Sequence, residues 1–371
     1  MQLDFDAPVD RRGTWSIRWD RYGAQVIPLW VADSDFRTPV EVTRAIAERA
    51  RHGVLGYTGA PSELVQAIVE RLERLYRWRV EPSWIVFVPG VVAGLYLAAR
   101  RLSAAHEHGI VPVPVYQHLK RALALTPRDF TEVPLTLDRG RWVLEADALA
   151  RAVRPASRLF FFCNPHNPGG TVFRREELER IAAATRDLVI VSDEIHCDLV
   201  LEAGADHVPI ASLDREVSRR TVTLMSPNKT FNFPAAGCAW AVIEDAGLRK
   251  AFSEELVAHV LPSPSVFGYV AALAALRHGD AWLAAQIEYL RANRDLVEAR
   301  VQLPMAHVEG TYLAWIDCTP LAVADPAAHF LEKGVALSPG AQFGEPRFVR
   351  LNFATQRSRL EEALERMASA A

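Results

Sequence analysis

Lysine is nearly missing from this chain. Only Lys120, Lys229, Lys250 and Lys333 occur, against 38 arginines. Cysteine is scarce too: Cys163, Cys197, Cys238 and Cys318 lie far apart and form no CxxC pair. That spacing excludes a disulfide framework and a cysteine-based zinc site, and it suits a reducing compartment. No apolar run approaches the roughly 18 residues of a membrane-spanning helix. The opening "MQLDFDAPVDRRG" has acids where a signal peptide needs a basic start and an apolar stretch, so a cytoplasmic location is expected. Nor is there an excess of either charge. A net charge of -3 and a pI near 6.4 give no reason to expect nucleic acid or an anionic membrane as partner.

What remains is a large globular chain. Its 371 residues can bury a sizeable core, with no internal repeat or low-complexity linker. Residues 1–40, rich in Trp, Asp and Pro, read as an extended arm with turns. From 41 to 262, short apolar runs alternate with helical patterns. "WIVFVPG" (84–90), "GIVPVPVY" (109–116), "RLFFFCNP" (158–165), "LVIVSDE" (188–194) and "RTVTLMS" (220–226) read as strands. Their apolar residues run on instead of alternating, as in strands covered on both faces. Helical segments such as "VVAGLYLAARRL" (91–102) and "REELERIAAATR" (175–186) favour a parallel α/β sheet. Residues 263–371 read as a linking helix (about 265–300) and a smaller α+β domain that also takes in the arm.

In open parallel sheets, ligands bind beyond the carboxyl ends of the strands. Three runs here end in reactive or turn-forming residues. "LFFFC" leads into "NPHNPGG" with Asn167, "LVIVS" into Asp193 and His196, and "TVTLM" into "SPNKTFNF" with Ser226 and Lys229. A fourth, "VFVPG", enters a helix whose first amides, at Val91, Val92 and Ala93, form a natural phosphate site. An anion cradle, a buried acid, an amide and an amine around one crevice match the needs of pyridoxal phosphate. Its aldehyde takes an amine, and its ring nitrogen takes a carboxylate. Guanidinium stays protonated and cannot supply that amine, which gives a chemical reason for a lysine in an arginine-rich chain.

"NPHNPGG", "SDEIHCDL", "SPNKTFN" and "RLNFA", in that order, resemble the class I/II aminotransferase superfamily of fold type I pyridoxal phosphate enzymes. "WVADSDF", "GYT", "NPHNP", "DEIH" and "EGTYLAWID" resemble more closely its MalY/PatB branch of cystathionine β-lyases, the C–S lyases. The likeness runs from about residue 28 to the carboxyl terminus. It implies an α/β fold with a large domain built on a mostly parallel seven-stranded sheet between helices, plus a smaller α+β domain. It implies Lys229 as the Schiff-base lysine, Asp193 as partner of the ring nitrogen and Asn167 on the phenolic oxygen. Tyr116 would stack on the ring, and Val91, Val92 and Ser226 would hold the phosphate. Arg350 would clamp the substrate carboxylate, with Ala32 and Asn167 beside the substrate. Tyr57 would reach the phosphate and take part in catalysis from a second subunit, so a homodimer is implied. On the strand "RFVRLNFA", Val349, Leu351 and Phe353 form one apolar face and leave Arg350 and Asn352 on the other.

Two departures stand out. Gly169 occupies the place where the family has Thr or Ser, and "PVYQHL" lacks the prolines or aromatic that usually follow the stacking tyrosine. The second borders the substrate. His196 stands where many aminotransferases carry tyrosine; it tunes the ring, packs as a core histidine, or moves a proton. His106, His108 and His118 have no metal-ligand spacing and read as surface residues. The implied reaction is C–S β-elimination from cystathionine or another cysteine S-conjugate. The alternatives are amino transfer, decarboxylating deamination of such a conjugate, or a regulatory protein that binds the cofactor. Intact Lys229, Asp193 and Arg350 argue against lost catalysis.

Overall fold

The computed structural model describes residues 3–125, 129–258 and 260–369. Seven strands make the main sheet: β1 (Ile85–Val88), β2 (His108–Val113), β3 (Phe130–Pro134), β4 (Ser157–Cys163), β5 (Val189–Asp193), β6 (Thr221–Met225) and β7 (Ala239–Val242). Their spatial order is β1-β7-β6-β5-β4-β2-β3. Neighbours from β6 to β3 are parallel, whereas β7 runs antiparallel to both β6 and β1. The five expected strands are present. The sequence reading missed β3, a half-exposed edge strand, and β7, which returns in the opposite sense.

Successive residues of the central strands enter two different cores. Phe161, Cys163, Val189 and Val191 pack on one face, Phe160, Phe162 and Ile190 on the other. The continuous apolar runs follow from that double burial. Helix α1 (Val91–Arg101) lies close against β6 because Gly94 faces Leu224, whose side chain occupies the space a Cβ would need. The long helical stretch breaks in two, α2 (Val266–His278) and α3 (Asp280–Arg300), at Gly279. A Cβ at 279 would press on the Phe231 ring and the Ala275 carbonyl. Among the described residues, no helix is long and apolar enough to cross a membrane.

A second, antiparallel sheet has the order β8 (Leu313–Asp317), β10 (Phe348–Asn352), β9 (Ser338–Pro339). Its core includes Leu313, Val349, Leu351 and Phe353 together with Phe5, Ile27, Leu29 and Phe36 of the amino-terminal arm. The arm also joins by main chain, since Ile27–Pro28 pairs in parallel with Val335–Ala336.

A buried ion network fixes the arm's last turn. Arg18 is fully buried and lies 3.3 Å from carboxylate oxygens of both Asp33 and Asp35. Arg11 bridges the same two acids at 2.6 and 2.9 Å, and Trp19 Nε1 donates to Asp35 at 2.8 Å. Burial opposes the charged form of Asp35, but Arg18, Trp19 and Arg11 outweigh it and hold the carboxyl below its usual range. Removing one member of such a network leaves a buried charge without its partner, so Arg18→Met should cost about 3 kcal/mol, read from the urea unfolding midpoint near neutral pH. Because the folded carboxyl titrates low, the difference between variant and parent should shrink as pH falls through the acid range. Equal midpoints at neutral pH would show that the network adds nothing.

Candidate active site

The carboxyl ends of β4, β5 and β6 and the amino end of α1 converge. Helix α1 starts at Gly90 with no side-chain cap, and its first backbone bond is from Gly94 N to Gly90 O. The amides of Val91 and Val92 therefore have no acceptor within the helix, and the helix dipole adds to their pull on an anion. Asp193 is the last residue of β5. Its carboxylate is buried, accepts the Ile195 amide at 3.2 Å and forms no ion pair among the described residues. Burial raises its pKa to about 7, with Glu194 adding to the rise and Lys229 opposing it. A carboxyl held in that state is poised to accept a cationic N–H.

Lys229 lies in the turn after β6 and donates to the Ala32 carbonyl of the arm at 2.5 Å. Burial lowers its pKa to about 8; Arg350 lowers it further, while Asp33 and Asp193 pull the other way. The Tyr312 hydroxyl donates to the same carbonyl at 3.0 Å.

Arg350 projects from β10 and is only 5% exposed. It donates to Asn167 Oδ1 at 3.0 Å, the Trp30 carbonyl at 3.1 Å and Ser338 Oγ at 3.3 Å, and lies 4.7 Å above the Phe343 ring. No carboxylate among the described residues pairs with it, and its Nε has no partner. Burial depresses its pKa to about 10. A buried guanidinium without a counter-charge is costly by itself and gains most from a carboxylate ligand. The expected alternation on β10 holds, but Arg350 and Asn352 are as buried as the apolar face.

Asn167 and Tyr116 are tied together, since the Tyr116 amide donates to the Asn167 carbonyl at 2.9 Å. His166 holds the same two loops, with Nε2 at 3.0 Å from the Pro114 carbonyl and Nδ1 accepting the Gly169 amide at 3.1 Å. The turn at Gly169 has no room for the usual hydroxyl residue, because a Cβ there would meet His166 Nδ1 and Trp142. His196 is buried, with Nδ1 unpartnered and its ring edge-on to Tyr312 at 5.9 Å. Burial, then the charges of Lys229 and Arg350, lowers its pKa to about 3, so it stays neutral. A neutral imidazole suits packing and ring tuning better than acid catalysis.

Other expectations fared differently. The Ser226 hydroxyl donates to the Cys238 carbonyl at 2.7 Å and accepts the Asn228 amide, so it must turn to meet a phosphate. Tyr57 is fully exposed on a segment without regular structure and does not enter this chain's crevice. His106 is exposed, but His108 is buried between Ser157 Oγ and Thr131 Oγ1, at 2.8 and 2.9 Å, because it begins an interior strand. His118 is half-buried; its Nδ1 meets the Tyr96 hydroxyl at 3.1 Å and its ring packs on Tyr116. The sequence reading also missed Tyr312, although it sits in the singled-out "EGTYLAWID", and Trp30, whose contribution is a carbonyl.

The aminotransferase class I and II family model matches residues 24–367. The cystathionine beta-lyase PatB of Bacillus subtilis is 33% identical over 99% of this chain and 100% of its own. The crystal structure of OvoB has a TM-score of 0.96 at 43% identity, covering 99% of both chains. Cystalysin from Treponema denticola, whose structure contains pyridoxal 5′-phosphate, has a TM-score of 0.94 at 28% identity, covering 100% of this chain and 99% of its own. The side chains here fit the same cofactor: a reactive amine, an unpaired buried carboxyl and uncapped helix amides face one crevice. With Asp193→Asn the cofactor should still bind but turnover should fall roughly 100-fold or more, as expected for a carboxyl that would pair with the ring nitrogen. Unchanged steady-state rates would remove Asp193 from that role.

Proposed function

Because this chain belongs to the aminotransferase class I and II family and is a pyridoxal phosphate enzyme, we propose that it is a C–S β-lyase. Its substrates would be cystathionine or another cysteine S-conjugate, which with water yields a thiol, pyruvate and ammonia. The observation that carries an α-amino acid substrate is Arg350, buried without a counter-charge in the crevice that holds Lys229. The full-length likeness to a cystathionine β-lyase supports C–S cleavage over amino transfer.

Bound pyridoxal phosphate supplies an electrophilic aldehyde and a ring that accepts an electron pair. The protein does the rest. Arg350 takes the substrate carboxylate bidentately, with Asn167 holding the guanidinium on one side and the Trp30 carbonyl on the other. That places the α-carbon proton toward Lys229. Burial keeps a useful fraction of this amine neutral, so it can take the proton. Asp193 would hold the ring nitrogen protonated, Asn167 would hold the phenolic oxygen and Tyr116 would lie against the ring. The Val91 and Val92 amides, with the Ser226 hydroxyl, would hold the phosphate. The C–S bond then breaks and the sulfur leaves with the bonding pair.

Tyr57 completes the phosphate site of a second copy in a homodimer. Its full exposure, together with that of Val54 and Leu55 beside it, supports this reading, because an apolar exposed segment gains from being covered. Residues 41–262 would form the large cofactor-binding domain, and residues 263–371 the linking helix and smaller domain, with the arm at 1–40 belonging to the latter.

The holoenzyme given cystathionine or S-alkylcysteines should release thiol, pyruvate and ammonia in equal amounts. Amino transfer that depends on an added keto acid, with no thiol, would overturn the lyase reading. Lys229→Ala should lose both the bound cofactor's absorbance band and turnover; persistence of either would refute the role of Lys229.

A further inference from the structure

Tyr312 has no part in the reaction as described, yet it is one of the most deeply buried polar side chains near Lys229. It is 1% exposed, and burial, then Asp33, raises its pKa, so it remains a phenol and donates. Its acceptor is the Ala32 carbonyl, the same oxygen that accepts the Lys229 amine. Two donors on one oxygen compete, because each draws on the electron density that the other needs. An ammonium benefits more from a strong acceptor than a neutral amine does. The hydroxyl at that oxygen therefore disfavours the charged lysine.

The carbonyl itself cannot drift. Asn352 Nδ2 donates to the carbonyls on either side, Val31 at 2.5 Å and Asp33 at 2.6 Å, and Arg18 donates to the Asp33 carbonyl at 2.9 Å. We propose that Tyr312 is a positioning residue that shares the Ala32 carbonyl with Lys229 and keeps the freed amine close to neutral while it waits to take the substrate proton. The other groups facing the amine are Asp33 from the arm, Asp193 at the end of β5, His196 just beyond it, and Arg350 from β10. None of them touches the Ala32 oxygen, so the hydroxyl can be changed without altering them. The proposal rests on the reading of Lys229 as the base.

Tyr312→Phe keeps the ring and deletes the competing donor. The lysine then gains the whole acceptor, its pKa rises, and less free base is present at any pH below it. Two measurements follow. In the cofactor-free full-length chain, acetic anhydride acetylation of Lys229, followed by peptide mass against pH, gives the amine's titration midpoint. In the holoenzyme, the acid limb of kcat against pH, with S-methylcysteine, gives the midpoint with substrate bound. Both should rise in Tyr312→Phe by about half to one pH unit. Incorporating 3-fluorotyrosine at position 312 makes the hydroxyl a stronger donor, so both midpoints should fall. Unmoved midpoints, or a shift of the same sign for both replacements, would overturn the proposal. Turnover retained in Lys229→Ala would instead defeat the functional reading, and the acetylation midpoint separates the two failures because it needs no turnover.

Discussion

A short row of backbone carbonyls holds the site together. Those of Trp30, Val31, Ala32 and Asp33 accept hydrogen bonds from Arg350, Ser338, Asn352, Lys229, Tyr312 and Arg18. These donors come from the main sheet's ligand side, from the small sheet and from the arm itself. The row is thus where three otherwise separate parts of the chain meet. Carbonyls are suited to this because they satisfy cations without adding a negative charge that would compete with a substrate carboxylate. The row needs rigid support, and the Arg11–Asp33–Arg18–Asp35 network supplies it from behind.

The row also explains which parts of the site were legible in the sequence. Side chains that donate or ionise at strand ends, such as Asp193, Lys229 and Arg350, show themselves by residue type and position. Their acceptors do not, because a backbone carbonyl looks the same at every residue. "WVADSDF" was noticed as a family marker, while its physical role, four carbonyls in a row, had no signature. Tyr312 escaped for the same reason: its importance lies in the oxygen it shares. Ser226 is expected to hold the phosphate, but the Cys238 carbonyl engages its hydroxyl, a contact across 12 positions that spacing does not show.

The fold was legible where burial leaves a plain pattern. Strands β4 and β5 sit between two cores, so residues 159–163 and 189–191 are all apolar and the run is plain. Strand β3 lies at an edge with a mixed pattern, and β7 reverses direction, which no local composition reports. The helix that periodicity joins breaks at Gly279, where Phe231, from far away in the chain, leaves no room for a Cβ, a packing that local composition does not report. His108 looked like a surface histidine until its strand was placed inside, between two hydroxyls.

The scarcity of lysine now has a physical complement. Arginine supplies the buried cation at position 350, where the guanidinium keeps its proton even with burial lowering its pKa to about 10. Base catalysis needs the opposite property. At position 229 burial brings the pKa to about 8, close enough to neutrality for the group to release and regain a proton. Desolvation lowers both pKa values, Arg350 to about 10 and Lys229 to about 8, so near neutrality the guanidinium stays charged while part of the amine is neutral, as the proposed base requires. In the proposed mechanism one dry crevice would set up both halves of the chemistry, a fixed cation to hold the substrate and a titratable amine to act on it.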